Sequence, residues 1–127
     1  MPGLLYEYAV IRVVPKVERE EFLNVGLIMY CKREKALKAR FEINEQKLAC
    51  FSSDIDIAQL RLNLDSFVKI AEGVESGGPI ARFETAERFR WLTAVRSSVI
   101  QTSRPHPGIC KELDAAFDKL YSELVST

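Results

Sequence analysis

The sequence predicts an α+β domain, an antiparallel sheet of three to four strands with about three helices packed on it. Three observations carry this expectation. Three β-prone runs crowd the first 43 residues. The apolar period then changes from two to 3.6 near residue 56, and an apolar stripe at helical spacing closes the chain. Strands followed by helices, without regular alternation, favour an antiparallel sheet with helices laid on it.

Residues 5–14, LYEYAVIRVV, are β-branched and aromatic, and both alternating faces are largely apolar, as in a central strand covered on two sides. Pro15 ends the run. After the charged link 16–21, FLNVGLIMYC forms a second strand, with Gly26 inside it as a bulge or a point of close backbone approach. The sequence Lys32-Arg33-Glu34-Lys35 makes a turn. Leu37, Ala39, Phe41 and Ile43 then alternate with Lys38, Arg40 and Glu42, so the third strand has one buried and one wet face. A helix starts after Asp56, a candidate N-cap with Gln59 three residues on, and stops at Gly73. The loop chemistry of GVESGGP follows. Thr85 is placed to cap a second helix running to about Val95, and the β-prone run Ser98 to Thr102 supplies a fourth strand. The last helix, about Lys111 to Val125, aligns Leu113, Ala116, Phe117, Leu120, Tyr121 and Leu124 on one stripe.

The 127 residues suit one domain, with 47% hydrophobic and 28% charged residues. Eighteen Lys and Arg balance eighteen Asp and Glu. That neutrality argues against non-specific nucleic-acid binding, which needs surplus cations to displace counterions. Cys31, Cys50 and Cys110 are an odd number at wide spacing, which suggests neither a disulfide framework nor a zinc knuckle, and they read as reduced thiols. The amino terminus lacks the pattern of a secretion signal, and no run approaches the roughly twenty apolar residues of a membrane span. A cytoplasmic protein with no cofactor and no metal is expected. A homodimer through residues 36–43 is a weaker expectation, since Lys38, Arg40 and Glu42 also protect an open edge.

Residues 87–108, ERFRWLTAVRSSVIQTSRPHPG, hold the only Trp, the only His and four arginines. On a helical wheel Arg88 falls among Trp91, Val95, Leu92 and Phe89, so its guanidinium needs a partner. One reading pairs Arg88 with Glu7 or Glu42. The other gathers Arg12, Arg88 and Arg96 with Ser97 and Ser98 into a forked-donor pocket for a phosphate or carboxylate, walled by Trp91. Asn24, disfavoured in a strand, is either bonded to backbone at a bulge or facing a site. His106, held between Pro105 and Pro107, is a weak candidate acid or base, and Cys110 four residues on is a weaker nucleophile.

YEYAVIRVVPKVEREEFLNVGLIMYC at 6–31, GPIAR at 78–82 and the stretch 87–108 together resemble the small bacterial proteins grouped as domain of unknown function 3037. The resemblance covers nearly the whole chain. Its signature positions fall on Arg12, Pro15, Arg19, Glu20, Asn24, Gly26, Arg88, Phe89, Trp91, Leu92, Arg96 and Ser97. The chain departs from the family pattern across 44–56, which is expected to be a variable connection without functional weight. Family members are often encoded beside a HipA-like kinase, so the resemblance implies an accessory or partner-binding role. Two functions are therefore expected in competition: a non-catalytic protein-interaction module, and an anion- or nucleotide-binding enzyme built on the arginines. Nucleic-acid binding stands third because of the neutral charge.

Overall fold

A computed structural model describes residues 3–15, 21–51, 55–94 and 99–126. Its strands are β1 (Leu4–Val13), β2 (Leu23–Cys31), β3 (Ala36–Phe41), β4 (Ile100–Thr102) and β5 (His106–Cys110). Its helices are α1 (Glu45–Phe51), α2 (Ile57–Glu72), α3 (Thr85–Leu92) and α4 (Leu113–Leu124), with two short 3₁₀ turns between α2 and α3. The α+β class holds. The described residues contain one strand and one helix more than the upper counts expected, β5 and α1.

The sheet order is β3-β2-β1, with β4 and β5 sharing the far side of β1, and every pairing is antiparallel. Strand parity on β1 divides the core. Ala9, Ile11 and Val13 face α1, α2 and α3, while Val10, Tyr6 and Tyr8 face α4. Helices thus cover both faces, as the two-sided apolar pattern of the first strand requires. Phe117 of α4 and Leu64 of α2 are fully buried on opposite sides of the sheet.

Several local features follow their chemistry. Asp56 caps α2 by accepting a hydrogen bond from Gln59 N at 3.1 Å, and Gly73 ends it in the left-handed region at φ 71°. Gly26 sits at a bulge, where the register passes from Ile11 opposite Gly26 to Arg12 opposite Asn24. A Cβ there would meet Arg40 O at 2.5 Å, so β2 and β3 approach too closely for a side chain. In α3, Glu84 rather than Thr85 is the N-cap, and it makes no side-chain cap bond. The stretch across 44–56 expected as an irregular connection contains α1, begun by Asn44 Oδ1 accepting from Lys47 N at 3.0 Å and anchored by the fully buried Leu48.

The third strand's charged face is not simply wet. Lys38 reaches Asp114 of α4 at 3.3 Å and Arg40 reaches Asp118 at 2.8 Å, and both cations lie over the Phe117 ring. These exposed pairs add little individually, on the order of 0–1 kcal/mol. They link β3 to α4, whose apolar stripe packs it on the sheet.

β4 and β5 are one strand broken by a bulge. Ile11 pairs with Thr102 and Tyr8 with His106, so Arg104 and Pro105 together stand opposite Ala9. Ser103 repairs the break: its N donates to Val10 O at 2.9 Å and its Oγ accepts from Val10 N at 2.9 Å. Ser103→Ala is expected to strand the buried Val10 N–H and cost about 1–3 kcal/mol of unfolding free energy in urea titration. Unchanged stability would show that the hydroxyl is dispensable there.

Candidate functional site

The two arginines expected to meet do not. Arg12 shares β1 with Ile11 and Val13 but points to the α4 face, whereas Arg88 lies on α3, on the opposite side of the sheet. Arg96, Ser97 and Ser98 lie outside the described residues.

Arg88 serves the chain's own backbone. Its guanidinium donates to Phe83 O at 2.6 Å and makes a long contact of 3.5 Å to Ala71 O in the last turn of α2. The partners are thus carbonyls rather than the carboxylates of Glu7 or Glu42. A cation at a helix C-terminus is favoured by the unsatisfied carbonyls and the helix dipole. Gly73 lies beside it, where a Cβ would be in ordinary contact at 3.4 Å from Arg88 Cζ.

On the α4 face, Arg12 lies with its guanidinium 4.0 Å over the Phe22 ring, and its Nε is buried without a hydrogen-bond partner. Asn24, opposite it in register, donates from Nδ2 to Leu124 O at 3.1 Å, tying β2 to the end of α4. Its Oδ1 is also buried and unpartnered. Asn24 is therefore bonded to backbone at a bulge and keeps an open acceptor. Arg19 and Glu20 of the adjoining link lie outside the described residues.

Nearby, Tyr121 of α4 carries a buried hydroxyl with no hydrogen bond of sound geometry. Burial first, and then the Glu42 carboxylate, raise this phenol above its ordinary value, while Arg40 acts in the opposite sense. Glu42 itself accepts from Ser126 Oγ at 3.0 Å.

His106 is exposed on β5, its ring 5.5 Å from that of Tyr8. Cys110 lies four residues along the same strand, roughly 13 Å away at strand rise, so the two form no nucleophile and base pair. Burial chiefly, with Cys31 and Glu112 adding, raises the Cys110 thiol. Of the other thiols, Cys31 is buried and Cys50 is exposed. Among the described residues no three His, Cys, Asp or Glu side chains gather as metal ligands.

The feature that pattern reading did not assemble is a groove of about 530 Å³ between α2 and β4, open to solvent on one side. Phe67 and Ile70 of α2, Leu92 of α3 and Ile100 of β4 make it apolar, and Trp91 stands at its edge. Asn63, Ser66, Gln101 and Thr102 add polar groups, and the Thr102 Oγ1 is buried away from solvent without a partner. No charged side chain lines it among the described residues. Ala94 and Val99 also line it, and residues 95–98 between them lie outside the described residues. Of the expected site residues that are described, Trp91 is the one placed here. The floor was legible only as core, because each of its residues also belongs to an apolar stripe.

The fold and this geometry define a three-layer α+β protein with a half-open, largely apolar groove and, among the described residues, no assembled catalytic constellation. The chain belongs to the family described as protein of unknown function (DUF3037), which it matches over residues 8–125. No curated protein and no solved structure matches it. No helix among the described residues is long and apolar enough to cross a membrane.

The raised Tyr121 value has a pH consequence. A phenol that ionises less readily in the folded state stabilises it fully below the unfolded value near pH 10, and that contribution is lost as pH rises further. Between pH 9 and pH 11, urea unfolding of the wild type should lose roughly 1 kcal/mol more than that of Tyr121→Phe. Equal losses in the two proteins would contradict the assignment.

Proposed function

We propose that this chain is a small non-catalytic interaction module that binds a protein partner through the outer side of α3. What carries the reading is the separation of the cations: Arg88 is engaged by backbone carbonyls and Arg12 lies across the sheet, so the described arginines do not converge on a ligand. α3 also carries Trp91, 39% exposed, next to the exposed Arg90 in sequence. Trp and Arg on one exposed surface are the side chains most enriched at interaction hot spots. The family resemblance makes a co-encoded HipA-like kinase the partner to test first. A cytoplasmic setting is part of the same proposal.

A second reading, an anion- or nucleotide-binding enzyme, keeps one observation in its favour. Arg12 Nε and Asn24 Oδ1 are both buried, unpartnered and adjacent in register, and no described carboxylate neutralises Arg12. On that reading phosphate or small carboxylates raise the melting temperature, and Arg12→Gln abolishes the rise.

The first test is capture of the co-encoded kinase by the full chain. Recovery of a stoichiometric complex is expected, with Trp91→Ala weakening it about tenfold or more and Arg12→Gln leaving it unchanged. Failure to recover the kinase, or a complex indifferent to Trp91, would count against the module as described.

A further inference from the structure

We infer that the chain pairs with a second copy of itself through the corner of the sheet where Leu5 of β1 and Ile109 of β5 lie side by side. These are the two most exposed large apolar side chains among the described residues, at 66% and 68%. They are also cross-strand partners in the pairing of β1 with β5, so they project together from one face. A single exposed leucine is ordinary on a protein surface, whereas adjacent apolar side chains make a patch. Pro107, exposed two residues along β5 on the same face, extends it.

The patch lies past the end of the helical layer. Strand parity puts Leu5 on the side of Ala9, Ile11 and Val13, which α1, α2 and α3 cover. That cover reaches Tyr30 of β2, whose ring stacks on Phe89 of α3 at 5.2 Å, and Tyr30 stands opposite Glu7. Leu5 is two residues further out. Gly3 lies against Ile109, where a Cβ would meet Ile109 Cγ2 at 2.5 Å, so the isoleucine leans on bare backbone. This corner is on the far side of the sheet from β3, the edge strand whose Lys38 and Arg40 are engaged by α4.

The charges around the patch select the occupant. Glu7 is exposed on the helix side of the Leu5 and Ile109 pair, and Lys111, which follows β5, is exposed on the opposite side. A two-fold axis along the line from Leu5 to Ile109 reverses the strand direction. It sets each apolar side chain against its own counterpart and brings Glu7 of one copy to the end that carries Lys111 of the other. A patch flanked by opposite charges at its two ends is thus complementary to itself, as an isologous contact requires. Trp91 and α3 take no part in the contact, which is therefore independent of the interaction reading.

Sedimentation equilibrium of the full chain tests the pairing. A reversible monomer and dimer equilibrium is expected, with a dissociation constant on the order of 10–100 µM, as suits a small contact. Ile109→Thr and Leu5→Thr change exposed positions, and each should weaken dimerisation about tenfold with the melting temperature kept. Leu62→Thr, at a similarly exposed leucine of α2, should leave it unchanged. Glu7→Lys and Lys111→Glu should each weaken it about fivefold, and the double variant should recover it to within about twofold. A chain that stays monomeric to about 1 mM, a dimer that ignores Ile109→Thr, or a double variant no better than the single ones would overturn the assignment. Kinase capture is read in a separate assay, so either proposal can fail while the other stands.

Discussion

The structure depends on the second half of β1, Ala9 to Val13, being covered on both faces, while Leu5 and Glu7 in its first half are exposed. A strand segment covered on two sides tolerates few charged side chains, and from Val10 to Val13 only Arg12 breaks the apolar run. That one constraint places α2 and α4 on opposite sides, because each must cover one parity of β1. It also places Arg12 near the open end of the strand, where its stem can be buried while its guanidinium rests on Phe22. The broken strand beside β1 is tolerated because Ser103 supplies the bonds that Val10 would otherwise lose.

Much of this was legible from residue pattern. The three amino-terminal strands, the Asp56 and Gly73 caps and the α4 stripe all follow from local chemistry, since caps and periods depend only on neighbouring residues. β5 was not, because His106-Pro107-Gly108 reads as punctuation. Two prolines at Pro105 and Pro107 suppress a strand signal even where an edge strand accepts them. α1 was hidden for a different reason: seven residues with a single fully buried side chain, Leu48, give no period to detect.

The arginines show where pattern reading stops. A wheel assigns Arg88 to a helix face, and strand parity assigns Arg12 to a sheet face, but neither says which sheet face a helix will cover. Only the chain path from β3 through α2 to α3 decides it, and that path puts α3 with α2. Once there, Arg88 lies against carbonyls at the end of α2, a partner class that charge counting never considers. Arg12 and Asn24, two of the family signature positions, stand opposite each other, because cross-strand register is short-ranged and strongly specified when one face is buried.

The groove has its origin in the same broken strand. β4 spans three residues and pairs with the end of β1, while α2 spans sixteen, so the helix extends past the sheet edge that should support it. Close-packed interiors do not leave such a gap unless the elements beside it are held apart by other contacts. Here α2 is held over β3 and the centre of the sheet by Leu60, Leu64 and Phe67, and β4 is held to β1 by backbone pairing. Neither can move towards the other without loss, and a bed lined by Phe67, Ile70, Leu92 and Ile100 stays open.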